Sequence, residues 1–323
     1  MIAQRDVFLT ALFEKAKLDK DIMLISVDMG APSLDRWRSE LPDQFLFAGI
    51  SEQNAINVAA GLSAAGKKVY VYFMAAWAAR CFEQVRYSCA MGNNPITILG
   101  NGVGLGYAPA GPAHEPNEDI AYMRSINGIE VYCPANGNII SDLVELTVKE
   151  PKLRYIRLER KYAQEVEACY ENIGYVNNVG IYCVRPGLSE PRKEGVSRTC
   201  ILSSGYMLGR AIRTWEMLIK NGFEASVMDL WKIKPINQEF FVNRLREYDN
   251  IVTLEEQTLD GGFGSAVCEA LADKNAKKNV LRLGLPERFI FENGDRDHLL
   301  DTNGLSTDEI YDKIKNFLQL QAG

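Results

Sequence analysis

Glu52 follows the apolar run FLFAGI (45 to 50) in the order Gly49-Ile50-Ser51-Glu52-Gln53-Asn54, so a carboxylate lies where a strand becomes a helix. Buried there, a carboxyl group can hold or move a proton; left wet, it merely favours the positive end of the helix while Ser51 caps the first turn. After the next run, VYVYFM (69 to 74), come Trp77, Arg80 and Phe82, two aromatics and a cation that can flank a flat ligand or pack in a core. The stretch Gly100 to Pro116 has five glycines and three prolines in seventeen residues, too many for a helix or strand, and it carries His114, one of only two histidines. An imidazole exchanges its proton near neutral pH, whereas His298, far downstream, reads as structural. This loop is glycine-rich but lacks both GxxxxGK[ST] and a true GxGxxG, which argues against a P-loop or a Rossmann fingerprint.

These residues are positioned by alternating β and α segments. Strand-like runs occupy 22 to 27, 45 to 50, 69 to 74, 95 to 100, 129 to 133 and 153 to 158, with helical stretches at 53 to 65, 77 to 91 and 136 to 149. A second set of runs follows at 199 to 204, 224 to 230, 250 to 256 and 279 to 285. Runs apolar on both faces and separated by helices predict parallel sheets covered on each side, so the fold class is α/β with two doubly wound domains. The first domain is placed at 1–165, a hairpin and linker at 166–198, and the second domain at 199–323. In such sheets ligands collect outside the carboxyl ends of the strands, where Glu52, Trp77 and His114 all fall. The Ala- and Gly-rich helix NAINVAAGLSAA allows a close neighbour.

Composition excludes several functions. A chain of 323 residues suggests about two domains. Its 47% apolar and 24% charged shares are those of a globular protein, not a disordered one. Net charge is −6 with dispersed basic residues, which speaks against nucleic acid. No apolar run approaches a membrane span, and the amphipathic start is unlike a secretory signal, so the expected location is cytoplasmic. Seven cysteines, Cys81, Cys89, Cys133, Cys169, Cys183, Cys200 and Cys268, are odd in number and never paired as CxxC, which favours reduced thiols over disulfides or a metal cluster.

Three motifs in order, GISEQNAINVAAGLSAAGKKV, VYFMAAWAARCFEQV and GPAHEPNEDIAYMRSINGIEVYCPAN, resemble the pyrimidine-binding domain of the transketolase family, which includes 1-deoxyxylulose-5-phosphate synthase. TCILSSGYMLGRAI, VMDLWKIKPI and IVTLEEQTLDGGFGSAV are similar to its carboxyl-terminal domain. The resemblance implies thiamine diphosphate as cofactor, with Glu52 matching the glutamate that hydrogen-bonds N1′ of the aminopyrimidine. It gives Trp77 a stacking role, with Phe73 and Phe82 as wall residues, and assigns His114 of GPAH to the donor oxygens. Arg5 and Arg160 match arginines facing the substrate channel, where a guanidinium can grip a phosphate. Arg80 joins the substrate-binding set, and Asp28, at the end of IMLISV, is a further strand-end candidate beside the cofactor.

Two departures qualify what the resemblance implies. Ala110 stands where the family carries an aspartate that contacts a donor hydroxyl, and Gly100-Asn101-Gly102 replaces a phosphate-contacting histidine, so ordinary pentose-phosphate donors are in question. A diphosphate-binding domain with its GDG motif is missing, the nearest string being Asn293-Gly294-Asp295. The expected protein is therefore the second subunit of a split transketolase, inactive alone. It would combine with an N-terminal, diphosphate-binding subunit that holds Mg²⁺, in an α2β2 assembly, and move a two-carbon ketol unit between sugar-like carbonyl compounds. The β subunit of a 2-oxo acid dehydrogenase and a non-catalytic assembly subunit are the alternatives.

Overall fold

The computed structural model describes residues 3–160 and 180–322. Twelve strands are found among them: β1 (Ile22–Ser26), β2 (Phe45–Phe47), β3 (Lys68–Met74), β4 (Ile96–Asn101), β5 (Glu130–Tyr132), β6 (Arg154–Leu158), β7 (Ile181–Arg185), β8 (Arg198–Ser203), β9 (Glu224–Leu230), β10 (Lys232–Lys234), β11 (Asn250–Thr258) and β12 (Asn279–Leu285). They form a seven-stranded sheet in the order β10-β5-β6-β4-β3-β1-β2 and a five-stranded sheet in the order β12-β11-β8-β9-β7. Every pairing is parallel except β10 with β5 and β7 with β9. Both sheets are therefore mixed, each carrying one antiparallel edge strand.

The central strands were legible because they are buried on both faces: β4 and β6 have no exposed residue. The two edge strands were not expected. β10 follows β9 after the single residue Trp231, so the chain leaves the second sheet and immediately completes the first. Cys133 N–H donates to Trp231 O at 2.7 Å, and Trp231 stacks on Tyr132, the rings 5.9 Å apart. Part of the segment 166–198 lies outside the described residues, including all but the last residue of NIGYVNNVG; its later part contains β7, an edge of the second sheet.

Helix Glu52–Ala64 buries Glu52, Ala55, Ile56, Ala59 and Ala60. Its small apolar side chains pack in one cluster with Val69, Val71 and Phe73 of β3, which brings the helix close to the sheet. The stretch expected as one helix over 77 to 91 is helical but irregular: a 3-10 segment Ala75–Cys81, one α turn Phe82–Gln84 and a π segment Val85–Met91. Of the seven cysteines, the six described are free; Cys169 lies outside the described residues. No described helix is long and apolar enough to cross a membrane.

Asp119, fully buried, joins the two sheets. Its Oδ2 accepts from Tyr155 Oη at 2.7 Å and Arg157 Nε at 2.8 Å, while Oδ1 accepts from Ile120 N at 2.9 Å and from Gln257 Nε2 of β11 at 3.1 Å. Removing one partner of such a pair leaves the other charge buried and uncompensated. Asp119→Ala should cost about 3–5 kcal/mol. A urea titration checks this, and a loss below about 1 kcal/mol would show that the network is not what holds the sheets together.

Candidate active site

The carboxyl ends of β1, β2, β3, β4 and β6 share one edge of the first sheet, and the loops beyond them carry the candidate residues. Glu52 opens its helix and is only 4% exposed. Ser51 does not cap that helix; its hydroxyl donates to Ala48 O at 2.6 Å, which leaves the first turn to the carboxylate. Glu52 Oε2 accepts from Arg80 Nη1 at 3.3 Å, and the Arg80 side chain is half exposed. Arg80, expected to bind substrate, reaches the carboxylate.

The tight winding of Ala75–Cys81 accounts for what comes next. In a 3-10 helix residues i and i+3 eclipse, so Trp77 and Arg80 sit one above the other, the guanidinium carbon 5.4 Å from the indole centroid. Trp77 also meets His114 edge-on, the centroids 5.3 Å apart at 65°. Glu52, Arg80, Trp77 and His114 thus form one continuous chain of contacts. Among the described residues nothing hydrogen-bonds the buried Nδ1 of His114. The stretch from Gly100 is a loop, as expected, once β4 ends at Asn101; it carries two 3-10 turns, Ala108–Ala110 and Pro112–His114.

A second group gathers around Tyr107. Its hydroxyl accepts from Asn101 Nδ2 at 3.0 Å, and Arg160 lies over its ring, 4.6 Å from the centroid. Gly102, at φ +73°, is required here, because the Tyr107 ring fills the space a Cβ would take. Arg5 pairs with Asp6 at 3.4 Å and faces Tyr72 and Tyr107; burial works against its charge, but these neighbours outweigh it and hold the guanidinium ionised. The backbones beside the two arginines are tied, since Glu159 N–H donates to Gln4 Oε1 at 2.9 Å. Arg160 therefore rests on Tyr107 and Arg5 lies within electrostatic reach of the same residue, which the sequence did not mark as part of a site.

Three expected residues stand apart. Phe73 is wholly buried in the core under helix Glu52–Ala64, and Phe82 packs edge-on against Tyr122 at 6.5 Å. Both serve packing: Phe73 because a strand buried on each face turns its side chains into core, Phe82 because its ring is taken up by a neighbouring ring. Asp28 is exposed, with a left-handed backbone at φ +37°. Among the described residues no group of three or more His, Cys, Asp or Glu side chains is placed to hold a metal.

The structure also reveals Glu115, beside His114, which is 5% exposed and hydrogen-bonded through neither oxygen among the described residues. Burial, then the negative charges of Glu256 and Glu292, push its carboxyl up to about 7.

Two α/β units thus place a carboxylate, an indole and an imidazole in contact at one sheet edge, a layout that comparison with known proteins assigns to a class of group-transfer enzymes. The transketolase pyrimidine-binding domain model matches residues 1–165, and the transketolase C-terminal domain model matches residues 190–310. The chain belongs to the transketolase family, whose members are thiamine-diphosphate-dependent. It is 32% identical over 292 residues to one subunit of the apulose-4-phosphate transketolase of Phocaeicola vulgatus, covering 90% of this chain and 89% of that one. It is 31% identical over 314 residues to 1-deoxy-D-xylulose-5-phosphate synthase of Aquifex aeolicus, covering 97% of this chain but 48% of the synthase. A solved split-gene transketolase, described as an inactive β4 tetramer, superposes with a TM-score of 0.83 at 28% identity over 99% of both chains.

The Glu115 carboxyl sets a pH dependence. Its folded-state value lies above the ordinary 4.5, so the folded chain keeps a proton that the unfolded chain releases, and stability falls as pH rises from about 4.5 to about 7. Glu115→Gln removes this titration. Its melting temperature should drop less than the parent's across that window and exceed the parent's at about pH 7.5. Parallel curves for the two proteins would mean that the carboxyl is hydrated.

Proposed function

We propose that this chain is the cofactor-activating subunit of a heteromeric, thiamine-diphosphate-dependent transketolase-type transferase that moves a two-carbon ketol or related acyl unit between sugar-like carbonyl compounds. The observation that carries the reading is the buried Glu52 in unbroken contact with Arg80, Trp77 and His114 at the sheet edge. A carboxyl at a helix start beside an indole face fits an aminopyrimidine, which needs one acid group in its plane and one flat neighbour.

When bound, the cofactor supplies a carbanion equivalent that makes and breaks the carbon–carbon bond next to a carbonyl. Glu52 holds a proton at N1′ of the pyrimidine, in a site dry enough to keep that proton shared. Trp77 lends its face, and Arg80 balances the carboxylate from the solvent side. His114, fixed against Trp77, gives or takes a proton at the oxygen of the reacting carbonyl. Arg5 and Arg160, both near Tyr107, grip a substrate phosphate; the two enzymes named above support this, since both act on or make phosphorylated compounds by name. With Ala110 in place of the family aspartate, the donor is one that does not need that contact.

The diphosphate and Mg²⁺ belong in this reading to an N-terminal partner chain, in a cytoplasmic α2β2 assembly. Residues 1–165 bind the pyrimidine, and the segment 166–198, whose strand β7 already joins the second sheet, leads into the C-terminal unit. Two relatives support the need for a partner: the Phocaeicola vulgatus protein is one subunit of its transketolase, and the solved β4 tetramer is inactive.

With the chain reconstituted with its partner, thiamine diphosphate and Mg²⁺, Glu52→Gln should lower the transfer rate by at least about 100-fold. An unchanged rate in Glu52→Ala would end the catalytic assignment. Arg5→Ala and Arg160→Ala should each raise KM for a phosphorylated substrate about tenfold and leave its unphosphorylated analogue alone. Equal effects on the two would remove the phosphate role.

A further inference from the structure

Arg296 opens the short helix Arg296–Leu300 of the second domain, and its side chain is only 11% exposed. Nε donates to Glu256 Oε1 at 2.8 Å, Nη2 bonds Glu256 Oε2, Nη1 donates to Glu159 Oε2 at 2.5 Å, and Nη2 also approaches Val103 O at 3.4 Å. The guanidinium lies over the Tyr206 ring, 3.7 Å from its centroid. Two carboxylates, a carbonyl and an aromatic face are thus gathered by one cation.

What distinguishes this cluster from an ordinary domain staple is where its partners lie. Glu159 immediately precedes Arg160, and its backbone N–H is held by Gln4, which immediately precedes Arg5. Glu256 Oε1 also accepts from Leu105 N–H at 3.0 Å, and Gly104, at φ +55°, leaves room for the Glu256 carboxyl that a Cβ would fill. The loop is therefore pinned at Val103 and at Leu105, just ahead of Tyr107, the ring on which Arg160 rests. Arg296 reaches the two phosphate-gripping arginines by two independent routes, one through Glu159 and one through the loop.

We propose that Arg296 is a positioning residue through which the C-terminal domain sets the geometry of the Arg5–Tyr107–Arg160 anion grip, and so the affinity for the phosphate of the substrate. The inference rests on the phosphate reading of Arg5 and Arg160 given above. A bidentate guanidinium grip depends on placement at the sub-ångström scale, so loosening its supports weakens binding while the proton chemistry at Glu52 and His114 continues. Lysine cannot replace Arg296, because an ammonium has no planar fork to span two carboxylates at once.

The test uses the two-chain enzyme with thiamine diphosphate and Mg²⁺, a phosphorylated donor and its dephosphorylated analogue, with amide exchange followed by mass spectrometry. Arg296→Gln should raise KM for the phosphorylated donor about tenfold, keep kcat within about threefold and leave KM for the analogue unchanged. Arg296→Lys should recover less than half of that loss. The segment containing the Leu105 amide should exchange at least about tenfold faster, over and above any acceleration shared by strands remote from Arg296. Equal KM increases for both donors, or normal KM and normal exchange, would overturn the proposal. If Arg5→Ala and Arg160→Ala also fail to separate the two donors, the phosphate reading has failed; exchange at Leu105 then decides alone, faster exchange upholding the positioning role and normal exchange rejecting it. Should Arg296→Gln not fold, Glu256→Gln keeps an oxygen for Leu105 N–H, removes the charge that holds Arg296, and is held to the same KM criteria.

Discussion

A carboxylate taken out of water at the first turn of a helix is the constraint on which the rest of the site depends. Glu52 is 4% exposed, and burying a charge is costly unless something nearby compensates it. Two compensations are present: the unsatisfied N–H groups and positive end of helix Glu52–Ala64, and the Arg80 guanidinium at 3.3 Å. The guanidinium is half exposed, so its attraction is screened and the helix end carries much of the burden. That requires the helix to lie close to the sheet, which its alanines permit, and Arg80 to approach from one side, which the 3-10 winding of Ala75–Cys81 brings about. The same winding orients Trp77 toward His114.

The loop from Gly102 to His114 closes on itself through short turns, as where Gly106 N–H donates to Val103 O and His114 N–H to Gly111 O, and side chains from elsewhere fix where those turns lie. Trp77 meets it at one end, and Asn101 holds Tyr107 near the other. Glu256 and Arg296, from beyond the first sheet, fix its beginning. The first sheet is also incomplete without the second half of the chain, since β10 supplies its edge and Gln257 helps satisfy Asp119. The two units are therefore coupled mechanically as well as linked in sequence.

Much of this was legible in the sequence because burial on both faces leaves an unmistakable apolar run, as in β1, β3, β4 and β11. β10 was not, because Lys232-Ile233-Lys234 alternates charge with one apolar residue and is short, although Lys232 and Ile233 are both buried. The irregular winding of 75 to 91 was hidden because alanine-rich sequence is compatible with every helical pitch. Glu52, Trp77 and His114 were named from strand-end position and motif, and the structure brings them into one contact chain; Phe73 was named by proximity to the same motif and is core. Arg296 carried no signal, being one of several charges in DRDH whose partners lie 40 and 137 residues away.

The division of labour across the sheet edge follows from the two kinds of contact found there. In the proposed function the Glu52 group handles protons: one acid, one imidazole whose buried Nδ1 has no hydrogen-bond partner among the described residues, and one flat ring, held by contacts within the first domain. In the same proposal the Tyr107 group binds the anion: Arg160 lies over the Tyr107 ring with Arg5 nearby, backed by hydrogen bonds that run into the second domain. Proton chemistry tolerates little variation among substrates, whereas recognition must change with them, and a loop pinned from another domain can be reshaped without disturbing the helix that carries the acid. Ala110 lies in that loop, outside the helix that carries Glu52, so in the proposed function a change of substrate there leaves the proton chemistry in place.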